Sequence, residues 1–125
     1  MSESPSNREL TSEERHLVRW MLEHGEPDAR QFLPQLERAQ VLPRHCPCGC
    51  ASIDFSIGGQ PKPSGGLRPL ADFVFGSGDE LSGIFVFEQA GVLAGLEVYG
   101  MAGDAPKTLP SPDSLRSLPD ETATA

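Results

Sequence analysis

The residues with the most chemistry to offer lie together in His45-Cys46-Pro47-Cys48-Gly49-Cys50, a run that holds all three cysteines of the chain. Thiolates are good zinc ligands. Cys46, Cys48 and Cys50 can turn three sulfurs toward one ion, with His45 or His24 as the fourth ligand that a tetrahedral structural site requires. The familiar zinc signature is two separated cysteine pairs, and the chain has no second pair. The same sulfurs offer a redox couple, Cys46 with Cys48 or Cys50. The Cys-x-x-Cys spacing and β-α-β surroundings of thioredoxin-like proteins are missing, however. A third reading is a tight turn at Pro47 and Gly49 whose cysteines pack as small apolar residues. Zinc is the one cofactor this run suggests, and all three alternatives stay open.

The carboxylates offer a surface rather than a reaction. Ile53, Phe55 and Ile57 alternate with Asp54 and Ser56, and Phe73 and Phe75 alternate with Asp72 and Val74, the pattern of half-buried strands. With the phenylalanines turned inward, alternation sends Asp54, Asp72, Glu88, Glu97 and Tyr99 to one outer face, together with Ser56, Val74, Ile84 and Val86. A face both acidic and apolar suits a partner, and the expected partner is a basic protein. Paired carboxylates run acid–base chemistry only where burial splits their pKa values, and no such burial is legible. No nucleophile–base pair or complete metal motif is visible either, so the chain is not expected to be an enzyme. His16, Trp20 and His24 share one helical stripe, but Trp20 separates the two histidines. Lys62 in Gly58–Gly66 lacks the order of a phosphate-binding loop, since prolines surround it and a strand follows.

Charge narrows the partner. Ten Lys and Arg face 18 Asp and Glu, a net charge of −8, and residues 45–104 hold seven acids against Lys62 and Arg68 alone. Nucleic-acid binding normally needs a basic patch, so nucleic acid is not an expected partner. No apolar run approaches the roughly 20 residues of a membrane span. Met1 to Leu10 is polar and has no secretory pattern, and the odd cysteine count suits a reducing compartment, so the expected setting is the cytoplasm.

The elements that must position these residues follow from periodicity and punctuation. Thr11-Ser-Glu-Glu14 reads as a capping box. Leu17, Val18, Met21 and Leu22 then follow at helical spacing, predicting a helix from Ser12 to His24 with Gly25 as a left-handed cap. A second helix is predicted from Pro27 to Ala39, with a kink or late start at Pro34. Strands are predicted at Ile53–Ile57, around Phe73–Phe75, at Ile84–Glu88 and at Val92–Tyr99, with a fifth around Val41–Cys46. Gln89-Ala90-Gly91 reads as a hairpin loop. Ser111–Ser114 has the composition of one short turn that lets Leu115 and Leu118 dock, in an otherwise irregular Pro-rich tail. The expected fold is α+β: two N-terminal helices on one face of a four- to five-stranded antiparallel sheet. At 125 residues it is one domain, with an ordered body over about 9–118 and flexible ends at 1–8 and 119–125.

Cys46-x-Cys48-Gly49-Cys50-x-Ser52, with Leu96-Glu-Val-Tyr99 and Leu109-Pro-Ser-Pro-Asp-Ser-Leu115 downstream, resembles a family of short bacterial proteins of unknown function. The resemblance spans Glu9 to Leu118. It implies a stand-alone bacterial domain and carries no activity with it.

Overall fold

The computed structural model describes residues 8–42, 51–58 and 65–117. The run from His45 to Cys50, residues 59–64 of the glycine-rich loop, and Leu118 lie outside the described residues.

β1 (Arg8–Glu9) leads into α1 (Ser12–His24), which has the expected bounds. The capping box is present: the Thr11 hydroxyl accepts from the Glu14 amide at 3.0 Å, and the Glu14 carboxylate accepts from the Thr11 amide at 2.9 Å. Glu14 also takes two guanidinium nitrogens of Arg8, at 2.9 and 2.8 Å. Arg8, expected in a frayed end, is therefore held in the sheet. Leu17, Val18, Met21 and Leu22 are the buried stripe of α1.

The second helix is far shorter than predicted. Ala29–Phe32 forms a 3₁₀ turn that passes into a single-turn helix, α2 (Leu33–Leu36), and Ala39 already belongs to a strand. Pro34 explains the break. A residue with no N–H fits only the first turn of a helix, so it forces a new start.

The sheet has seven strands rather than four or five: β1, β2 (Ala39–Val41), β3 (Ile53–Ile57), β4 (Leu67–Phe75), β5 (Ser82–Gln89), β6 (Val92–Gly100) and β7 (Arg116–Ser117). Their order is β1-β2-β3-β6-β5-β4-β7, and every pairing is antiparallel. The additions are the two-residue strands at the edges, too short to carry an alternation signal. The expected short strand beyond Val41 begins earlier, at Ala39. In the C-terminal stretch a 3₁₀ turn at Pro112–Ser114 precedes β7, and Leu109 and Leu115 pack on the core. No helix among the described residues is long and apolar enough to cross a membrane.

Two bulges set the phase of the sheet. Between Pro69 and Ala71, Leu70 is an extra residue opposite β5; between Gly95 and Leu93, Ala94 is extra on β6. Leu70 and Ala71 consequently both face the core. The Leu70 carbonyl accepts from the Glu26 amide at 2.8 Å and so docks the end of α1 on β4.

Gly25 sits at this junction, but not as the left-handed cap expected. Its φ of −93° is open to any residue. What excludes a side chain is space, because a Cβ there would overlap the Leu70 carbonyl oxygen and the Ala71 side chain. Gly25→Ala is expected to cost about 1–3 kcal/mol, the range for overpacking a filled site. Gly91→Ala, strained only by its φ of +81° with open space around it, is expected to cost less. Urea midpoints of the two variants give the comparison.

Burial pushes the Glu14 carboxyl up, but Arg8 and the Thr11 amide outweigh it and hold the group below its usual value. A depressed folded pKa means stability that is fully present above about pH 4.3, the unfolded value, and lost as pH falls through the folded one. Between pH 5 and the acid limit of folding, wild type is expected to lose more stability than Glu14→Gln. Urea midpoints measured across that range check the sign.

Candidate interaction face

One side of the sheet carries the helices and the other carries the candidate site. On the helix side Phe55, Phe73, Ile84, Val86, Leu96 and Val98 belong to one core with α1. Ile84 and Val86 were expected on the outer face, and Phe85 and Phe87 on the inner one. The reverse holds. Ile84 pairs with Phe73 on one side and Val98 on the other, and all three are inner residues. Residues 84–87 are all apolar, so alternation could not fix their phase.

The outer face is built on two glycine–aromatic pairs. The ring of Tyr99 lies over Gly83 and that of Phe87 over Gly95, so closely that a Cβ on either glycine would run into the ring. Phe85 stands between them, 5.7 Å from Phe87 and 6.0 Å from Tyr99 between ring centroids, both pairs tilted. Asp72 is directly opposite Phe85 on β4, and Glu97 directly opposite it on β6. The three side chains form one row across three strands. Asp72 is exposed, and Phe85, Glu97 and Tyr99 are half-buried.

Partial loss of solvent around the Asp72 carboxyl, which disfavours its charged form, raises it above its ordinary pKa. The Tyr99 phenol is raised too, first by burial and then by the negative charge of Asp72. These two groups from β4 and β6 therefore sense each other across Gly83.

The five predicted face residues are not all brought together. Asp72, Glu97 and Tyr99 are. Asp54 points to the same side, opposite Gly95, but it is buried and engaged, as is its neighbour Ser56. Glu88 is on the other side. It pairs with Leu93 of the core across the β6 bulge, binds the Arg68 Nε at 2.8 Å, and accepts from the Gly91 amide at 2.8 Å. Arg68 reaches on to Asp28, just beyond α1, at 2.7 Å. Arg68 first and the Gly91 amide second hold the Glu88 carboxyl below its ordinary value. Sequence reasoning missed Phe85 as a face residue; its side is set by long-range pairing with Asp72 and Glu97, and the apolar run 84–87 carries no local signal of it.

Other polar groups are already committed. The Ser52 hydroxyl accepts from the Val98 amide at 2.9 Å and lies 3.3 Å from the Val98 carbonyl, completing the β3–β6 ladder. It also lines a cleft of about 680 Å³ with Arg8, Glu13, His16 and Lys107. Trp20 and His24 stack at 4.2 Å, and the His24 Nδ1 is 2.8 Å from the Trp20 carbonyl. Among the described residues no group of three or more His, Cys, Asp or Glu side chains is placed to hold a metal ion. The proposed ligands Cys46, Cys48, Cys50 and His45 lie outside those residues.

Tyr99 is the chain's only tyrosine, so an ultraviolet absorbance titration reads it alone. Its pKa is expected to lie higher in the folded protein than in urea. Asp72→Asn is expected to close part of that gap and leave the part due to burial. An unchanged gap would remove Asp72 from the neighbourhood of the phenol.

The chain was compared with protein-family models, curated proteins and solved structures, and it matches none of them.

Proposed function

We propose that the protein is a non-enzymatic binding module that receives a basic protein partner on the accessible part of its outer sheet face, around Asp72, Phe85, Glu97 and Tyr99. The observation that carries this reading is the row Asp72–Phe85–Glu97 with Tyr99 beside it: accessible acid and aromatic surface on rigid strands. The charge of the surrounding sequence supports it, since residues 45–104 hold seven acids and two bases. One of those bases, Arg68, is turned to the helix side and bound by Asp28 and Glu88. At the β7 edge of the face Arg116 donates to the Gly76 carbonyl at 2.8 Å, which leaves the centre acidic. A cytoplasmic setting and the stand-alone bacterial domain implied by the resemblance belong to the same reading.

Such a face speeds encounter with a cation, and the effect fades with salt because the screening length is about 8 Å at physiological ionic strength. Asp72→Lys/Glu97→Lys is expected to change stability by less than about 0.5 kcal/mol, since neither side chain is in a cap or in an ion pair among the described residues, and Glu97 gives up one long hydrogen bond, 3.4 Å from the Ser52 hydroxyl. The same double variant is expected to abolish the salt-dependent binding of a blocked peptide of alternating Arg and Gly, measured by calorimetry. Peptide binding that survives the double variant at low salt would remove this face from the function.

A further inference from the structure

We infer that the face takes an arginine side chain from that partner, seated on the Phe85 ring with Asp72 on one side and Glu97 on the other. This rests on the basic-partner reading and names the group that is recognised.

The geometry is that of a lined seat. Asp72, Phe85 and Glu97 are direct cross-strand partners on β4, β5 and β6. With strands 4.7–4.9 Å apart, the two acidic side chains leave the backbone roughly 10 Å from each other with the ring between them. Asp72 flanks the ring from the β4 side; Glu97 flanks it from β6, where its carboxylate carries one long hydrogen bond, 3.4 Å from the Ser52 hydroxyl beside β3. Phe85 is held from two directions by Phe87 and Tyr99. Phe87 is itself buried, fixed over Gly95. The ring is therefore positioned before any ligand arrives, and half-buried rather than covered.

This arrangement discriminates between cations. A guanidinium is planar, stacks on an aromatic face and presents donors along several edges at once, so it can serve two carboxylates while lying on the ring. An ammonium is a point charge on a flexible stem, more strongly hydrated, and gains less from the ring. A neutral ureido group of the same shape keeps the plane and loses the charge. The seat therefore ranks arginine above lysine, and both above citrulline.

The test is an amide-shift titration of the full isotope-labelled chain at low salt. The probes are three blocked peptides, Gly-Arg-Gly-Arg-Gly and its lysine and citrulline counterparts. The arginine peptide is expected to bind roughly two- to fivefold more tightly than the lysine peptide, the range of an exposed cation–π contact. Shifts are expected at Asp72, Phe85 and Glu97, and the citrulline peptide is expected to leave them unmoved. Phe85→Leu is expected to equalise arginine and lysine. Asp72→Asn and Glu97→Gln, which keep the shape of each side chain and remove its charge, are expected to weaken the arginine peptide even if Phe85→Leu does not fold. Equal affinity of the arginine and lysine peptides for wild type overturns the arginine seat and leaves the basic-partner reading standing. No shift on the face with either cation overturns both.

Discussion

The fold turns on one hydrogen bond at one irregularity. The bulge at Leu70 releases a carbonyl from the β4–β5 ladder, and that carbonyl takes the Glu26 amide just past the end of α1. The helix can approach this closely only because Gly25 has no side chain. Beyond the junction the chain delivers Asp28 to Arg68, which the bulge has turned to the helix side. On β6 a second bulge faces the same part of β5, and there α2 supplies what the ladder lacks. The Gln35 side chain accepts from the Leu93 amide at 2.8 Å and donates to the Gly91 carbonyl at 3.1 Å. The two bulges decide which residues reach the outer face, so the acid–aromatic row follows from how the helices are seated.

Local signals in the chain were readable where one interaction dominates. Thr11 and Glu14 announced the helix start because both halves of a capping box lie within four residues. Phe55 and Phe73 were rightly placed inside because Asp54 and Asp72 beside them gave the alternation a direction. β5 had no such marker between Ile84 and Phe87, and the larger side chains were taken for the core. In fact β-branched Ile84 and Val86 pack under α1, while the aromatic rings lie across glycines on the other side. Glu88 was misplaced with them: β5 alternates without a break from Ile84 to Glu88, so the phase that turns Ile84 and Val86 inward turns Glu88 inward too.

The outer face also shows how a sheet can carry glycine in its interior without losing its packing. Gly83 near the start of β5 and Gly95 in the middle of β6 offer no side chain of their own. Tyr99 and Phe87 fill those two spaces from the neighbouring strands, and the result is a low, firm aromatic floor. Gly25 on the other side of the sheet answers the same need for close approach, there between a helix and a strand.

Glu14 serves the helix start and the sheet margin with a single carboxylate. β1 is only two residues long, and besides its ladder with Gln40 and Val41 it is held by the Arg8–Glu14 pair and by Gln40 on Glu9. While that pair lasts, the outer side of β2 is covered. When acid discharges Glu14, the cover loosens and β2 presents unpaired amides and carbonyls to solvent, the surface on which a second chain can add as a strand. Acid would thus convert the sheet margin into a template for association before the core itself gives way, and colloidal instability would precede unfolding.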